Sequence, residues 1–149
     1  MVIRPATIHD VDELVPLWLT FIASGRYPLL ERATPAQLRR LLIDLLALHS
    51  AACCLVAEDR TGLLVGGLAL VEDPGTDDPY IDEVLWGVVP GFEMTLAAAQ
   101  LFTAGEAWVA TRRVRWFQVS CPVGSASIDR FYQGRGFLPA STTYLKELR

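Results

Sequence analysis

Two periodicities alternate along this chain. Val11, Leu14, Val15, Trp18 and Phe21/Ile22 recur at three- and four-residue steps, which predicts a helix with one apolar face. Ahead of it, Thr7-Ile-His-Asp10 has the spacing of an N-terminal cap with an acid three residues on. Thr34-Pro35-Ala-Gln37 predicts a second start, with proline at the first helical position. Leu38, Leu41, Leu42, Leu45 and Leu46 form the buried stripe behind it. Between the two helices, residues 24–32 break the stripe and read as a loop.

Elsewhere the period is that of strands. Val2 to Pro5 is a short first strand. Ala51 to Glu58 and Leu63 to Glu72 flank the turn Asp59-Arg-Thr-Gly62 and read as a hairpin. Gly66-Gly67 inside it predicts a bulge or a close backbone approach. Tyr80 to Val89 is a central strand stopped by Pro90-Gly91. A helix with Met94, Ala98, Leu101, Phe102, Gly105 and Trp108 on one side follows from Glu93. Arg115 to Cys121 predicts another strand, Ser127 to Gly134 a short helix, and Thr142 to Leu148 a closing strand. The order β-αα-βββ-α-β-α-β predicts one α/β domain over residues 1–149, with a mixed central sheet flanked by about four helices.

Composition narrows the function classes. A net charge of -4 argues against nucleic acid as a partner and suits a cationic or amine ligand. No apolar run approaches the roughly 20 residues that span a bilayer. The first residues resemble neither a signal nor a transit peptide, so the cytoplasm is the expected compartment and no membrane partner is expected. Cys53, Cys54 and Cys121 have neither disulfide nor metal spacing, and His9 and His49 stand apart on predicted surfaces. No metal site is expected.

Three motifs at matching separations carry a family resemblance. They are Ile3 to Thr7 with Asp10, Trp86-Gly-Val-Val-Pro90, and Tyr132-Gln-Gly-Arg-Gly136-Phe137. Together they resemble the GNAT superfamily of N-acetyltransferases over essentially the whole chain. The compact ending after Phe137 resembles short members encoded by bacteriophages. The resemblance implies acetyl-CoA as co-substrate, with its pantetheine arm on the backbone of Val88 and Val89. The pyrophosphate would lie on the turn and helix start formed by Gly91, Phe92, Glu93, Met94, Thr95 and Leu96. It implies Glu83 as the base that takes a proton from the acceptor amine, and Tyr132 as the acid that protonates the departing thiolate. Arg26 and Tyr27 are expected near the acceptor entrance. Taken on its own chemistry, Glu83 also reads as one member of the acidic run Glu72, Asp73, Asp77, Asp78, Asp82, and Tyr132 as core with its hydroxyl at the surface.

The phosphate turn departs from the family pattern R/Q-x-x-G-x-G/A. Glu93 holds the arginine position and Leu96 the first glycine position, with the bulky Met94 between them. Side chains obstruct the close backbone approach that glycines permit. A carboxylate about 5 Å from a phosphate repels it by on the order of 1–3 kcal/mol. Arg130 and Arg135 are alternative sources of positive charge. Two functions therefore stand open. One is an acetyl-CoA-dependent N-acetyltransferase acting on a small or peptidyl primary amine. The other is a catalytically inactive GNAT-fold protein, a homo-oligomer or assembly component such as part of a bacteriophage virion. Trp108, Trp116, Phe92 and Phe117 are its candidate interface residues.

Overall fold

In the computed structural model, which describes residues 1–75, 78–91 and 96–148, a five-stranded sheet runs in chain order. Its strands are β1 (Val2–Pro5), β2 (Ala52–Glu58), β3 (Leu64–Asp73), β4 (Tyr80–Val88) and β5 (Trp116–Gln118). The first four are antiparallel to their neighbours, and β5 lies parallel to β4. The mixed sheet, with four α-helices around it among the described residues, has the architecture that the family resemblance implies. No helix among the described residues is long and apolar enough to cross a membrane.

Helices α1 (Val11–Ala23) and α2 (Pro35–Ala47) cover one face. Both begin as their sequences direct. Thr7 and Asp10 close a capping box on the 3-10 turn that leads into α1, and Thr34 and Gln37 close another on α2. Each such cap stabilises a helix by about 1 kcal/mol. Val11, Leu14, Val15, Trp18, Phe21 and Ile22 are all buried, as are Leu38, Leu42 and Leu45. Burying one large apolar side chain contributes roughly 1.5–3 kcal/mol, so this face is a principal source of stability.

On the other face lie α3 (Leu96–Val109) and α4 (Ala126–Gln133). Phe102 is their centre, within ring-contact distance of Trp86, Phe117, Phe131, Tyr132 and Phe137. The glycine pair of the hairpin serves close approach. A Cβ on Gly66 would sit 2.8 Å from Leu101, and one on Gly67 3.0 Å from the Trp18 indole nitrogen. The irregularity in the β2–β3 ladder falls beside them, where Val65 is the extra residue between Gly66 and Leu64.

The predicted helix start at Glu93 falls among residues outside those described; the described helix begins at Leu96. The predicted strand at residues 115–121 is present over only three residues. The closing strand expected at Thr142–Leu148 is not formed: residues 138–148 are exposed and carry neither helix nor strand. The fold is thus β-αα-βββ-α-β-α, without a final strand. An alternating pattern supplies strand propensity, but a strand also needs an edge to pair with, and Glu147 is held instead by Arg32.

Candidate active site

A single irregularity in β4 arranges the site. From Tyr80 to Glu83 the strand pairs in one register with β3 (Leu70 opposite Glu83), and from Leu85 it pairs in another (Ala69 opposite Leu85), which leaves Val84 as a bulge. Without the extra residue, Ile81 and Trp86 would point to opposite faces, five positions being an odd number. With it, both join the cluster under α3 and α4, while Leu85 and Val84 pack under α1 and α2. Past the bulge, Val89 N–H donates to Val65 O on β3 at 2.8 Å. By alternation the N–H and C=O of Trp86 and Val88 then point away from β3. They face the side on which β5 pairs with β4 only from Tyr80 to Asp82. The two parallel strands part there, and an opening begins.

Glu83 lies at the root of this opening with its side chain fully buried. Its Oε1 accepts from the Tyr27 hydroxyl at 2.6 Å, and its Oε2 from the Tyr132 hydroxyl on α4 at 2.8 Å. Arg26 Nη2 lies 3.3 Å from both oxygens and donates to Tyr132 Oη at 2.5 Å. Arg26 Nη1 donates to Trp86 O at 3.2 Å, and Nη2 reaches Ser120 O at 3.2 Å. Trp86 N–H donates to Tyr27 Oη at 2.7 Å. The guanidinium carbon stands 4.7 Å from the centre of the Trp86 ring, a cation–π distance.

Electrostatics follow from burial. Desolvation raises the Glu83 pKa, and the Arg26 charge and the two tyrosine hydrogen bonds pull it down again. Burial and the neighbouring Glu83 charge raise both tyrosine pKa values, so both hydroxyls are protonated at neutral pH. Burial works most strongly against the Arg26 charge, but Glu83 together with Tyr27 and Tyr132 outweighs it, and the guanidinium stays ionised. The result is a carboxylate that can take a proton, beside a phenol that can give one, joined by a direct hydrogen bond.

All four residues singled out for catalysis and the acceptor, Glu83, Tyr132, Arg26 and Tyr27, meet in this one network. Arg26 and Tyr27 do not stand at an exposed entrance; both side chains are buried against Glu83 itself. Of the residues expected to hold the co-substrate, Val88 turns its backbone to the opening, whereas the Val89 amide is committed to β3. Gly91 is an exposed turn residue with φ of 90°. Phe92, Glu93, Met94 and Thr95 lie outside the described residues. Leu96 opens α3 and, with Met1, Asp59 and Arg60, lines a surface cavity of about 380 Å³ by the β2–β3 turn. Arg135 is paired with Glu106 and also reaches Thr103 and Ala99 O. Sequence reasoning missed Trp86 and Ser120 as participants. Trp86 was visible as part of a motif, but the hydrogen bonds of both run through main-chain atoms, for which the sequence carries no signal.

No family model matches the chain, and no curated protein matches it either. Solved structures do. A probable acetyltransferase superimposes with a TM-score of 0.77 at 18% identity, over 100% of this chain and 99% of its own. The glucosamine-6-phosphate N-acetyltransferase of Arabidopsis thaliana gives 0.74 at 14% identity, covering 99% and 98%. The ribosomal-protein-alanine N-acetyltransferase of Brucella melitensis gives 0.69 at 19% identity, covering 99% and 100%. At these identities the likeness concerns architecture, and what it establishes is that this chain has the fold of the GNAT acetyltransferases.

Proposed function

We propose that the protein is an acetyl-CoA-dependent N-acetyltransferase whose acceptor is a primary amine on a small molecule or peptide. The observation that carries this reading is the buried Glu83 carboxylate hydrogen-bonded to the Tyr132 hydroxyl at the point where β4 and β5 part. Glu83 takes a proton from the acceptor ammonium. The free amine attacks the thioester carbonyl, the new C–N bond forms, the C–S bond breaks, and the nitrogen releases its second proton to solvent. Tyr132 gives its proton to the leaving sulfur and is reprotonated from Glu83 across their shared hydrogen bond. The Val88 backbone is oriented to pair with the amides of the pantetheine arm. The acidic residues Glu72, Asp73, Asp78 and Asp82 on or beside these strands favour a cationic acceptor through their field. A single-domain cytoplasmic enzyme fits this reading.

Two observations favour the alternative, a GNAT-fold protein without catalysis that serves as an oligomer or assembly component, such as a virion part. Arg26 ties Trp86 O to Ser120 O across the opening, and Trp116, with 58% of its surface exposed, lies on the outermost strand. Calorimetry of acetyl-CoA and CoA at low salt separates the two. Micromolar binding is expected of the enzyme, followed by amine-dependent thiol release. In that assay Tyr132→Phe and Glu83→Gln should each lower kcat by about 10²- to 10⁴-fold, the usual range for a lost general acid or base. Absence of binding at millimolar co-substrate would sink the enzyme reading.

A further inference from the structure

The backbone of Trp86 is a strand edge that the protein's own side chains have taken. An unpaired β edge beside an opening pairs readily with an extended chain that carries amides. At Trp86 both groups such a chain needs are held: the N–H by Tyr27 Oη, the C=O by Arg26 Nη1 with Tyr27 Oη also 3.1 Å away. Arg26 then reaches on to Ser120 O, beyond the end of β5. Its side chain is 8% exposed, and its Nε is buried without a partner among the described residues. A charged group buried with an unmet donor is held under tension. The segment that carries it leaves α1 through the exposed Ser24 and Gly25. Gly25 has φ of 77°, and no atom lies within 4 Å of where a Cβ would stand, so the space beside this joint is open.

We propose that Arg26 and Tyr27 form a removable strap across the β4–β5 opening. The acyl donor binds by exchanging the hydrogen bonds that this pair makes to Trp86 for those of its own extended, amide-bearing arm. This deepens the acetyl-transfer reading and rests on it. The same movement uncovers the donor's seat and takes the guanidinium off Glu83, leaving the carboxylate open to an ammonium ion. Donor binding therefore precedes acceptor binding, and a cationic acceptor does not compete with Arg26 until the donor is in place. An open state populated at about 1–10% lowers the apparent donor affinity by roughly ten- to a hundredfold.

The test measures acetyl-CoA binding to the wild type, Glu83→Gln, and the double variant Arg26→Met/Glu83→Gln. Working in the Glu83→Gln background avoids leaving a buried carboxylate unpaired, and circular dichroism checks that each variant is folded. The double variant is expected to bind at least tenfold more tightly than Glu83→Gln. Its stopped-flow association rate should rise linearly with acetyl-CoA, whereas the wild-type rate reaches a plateau set by strap opening. Equal or weaker binding by the double variant overturns the strap while leaving the donor site in place. Failure of every folded variant to bind millimolar acetyl-CoA removes the donor site and the strap together.

Discussion

Replacing Arg26 by methionine keeps most of the aliphatic stem and deletes the charge, leaving Glu83 buried with only the two tyrosine hydroxyls. At the observed 3.3 Å separation and an effective dielectric near 20, the direct attraction is about 5 kcal/mol. Measured losses on breaking buried pairs run at about 3–5 kcal/mol, because the remaining charge is uncompensated. Arg26→Met is therefore expected to destabilise the fold by about 3–5 kcal/mol, a fall in Tm of roughly 6–20 °C for a chain of this length. Removing both charges is a different perturbation. In Arg26→Met/Glu83→Gln the amide oxygen accepts from one tyrosine while its NH2 donates to the other, so no buried charge is left. That variant should lie within about 2 kcal/mol of the wild type. Urea unfolding of the wild type, the two single variants and the double variant gives the coupling energy, expected to be at least about 2 kcal/mol. A loss below about 1 kcal/mol for Arg26→Met, with coupling near zero, would refute the buried ion pair as described.

Two further outcomes follow from the titratable groups. Asp10 has its pKa lowered from 3.8 to about 2 by hydrogen bonds from Arg4, with help from Thr7. Its contribution is present above pH 3.8 and is lost as pH falls through about 2. Asp10→Asn should flatten that acid limb, worth about 1–2 kcal/mol after allowance for solvent screening. Urea midpoints at about pH 5 and about pH 2.5 measure it, and an unchanged pH slope would contradict it. Burial raises the Cys53 thiol to about 11 and the Cys54 thiol to about 12, whereas Cys121 is exposed. Native protein at about pH 8 should react rapidly at Cys121 alone, with the other two thiols reacting only after denaturation. Rapid modification of all three in the folded chain would contradict this burial.

The parts of the fold that were legible in the sequence are those that local forces decide. The stripes of α1 and α2, both capping boxes and the β2–β3 hairpin depend on neighbours a few positions apart, and they were readable as such. Thr142–Leu148 shows the limit: its alternation is a local preference, and pairing is not a local matter. The site was legible in a different way. Glu83 and Tyr132 were picked out by the family resemblance, and they lie in hydrogen-bond contact. The residues around Arg26 read as a loop because Gly25 and Pro28 interrupt the helical period. Nothing in that stretch signals that its arginine will be buried against a carboxylate 57 positions away. The bulge at Val84 was equally silent. No glycine marks it, yet it sets which face of the sheet Trp86 shares.

The three-residue pairing of β5 has a consequence for how the chain comes apart. The β1–β4 sheet, with α1 and α2, is joined by long antiparallel ladders. The segment of β5 and α4 meets the sheet's edge along a single short parallel ladder. Apart from the aromatic cluster around Phe102, its polar attachments include Arg26, through Ser120 O and Tyr132 Oη, and Glu83, through Tyr132 Oη. In hydrogen-exchange terms β5 and α4 then form a cooperative unit of lower protection than the sheet, with Arg26 as its latch. Release of that one side chain would loosen the segment that supplies Tyr132, so access to the site and local unfolding are drawn from the same reserve of stability.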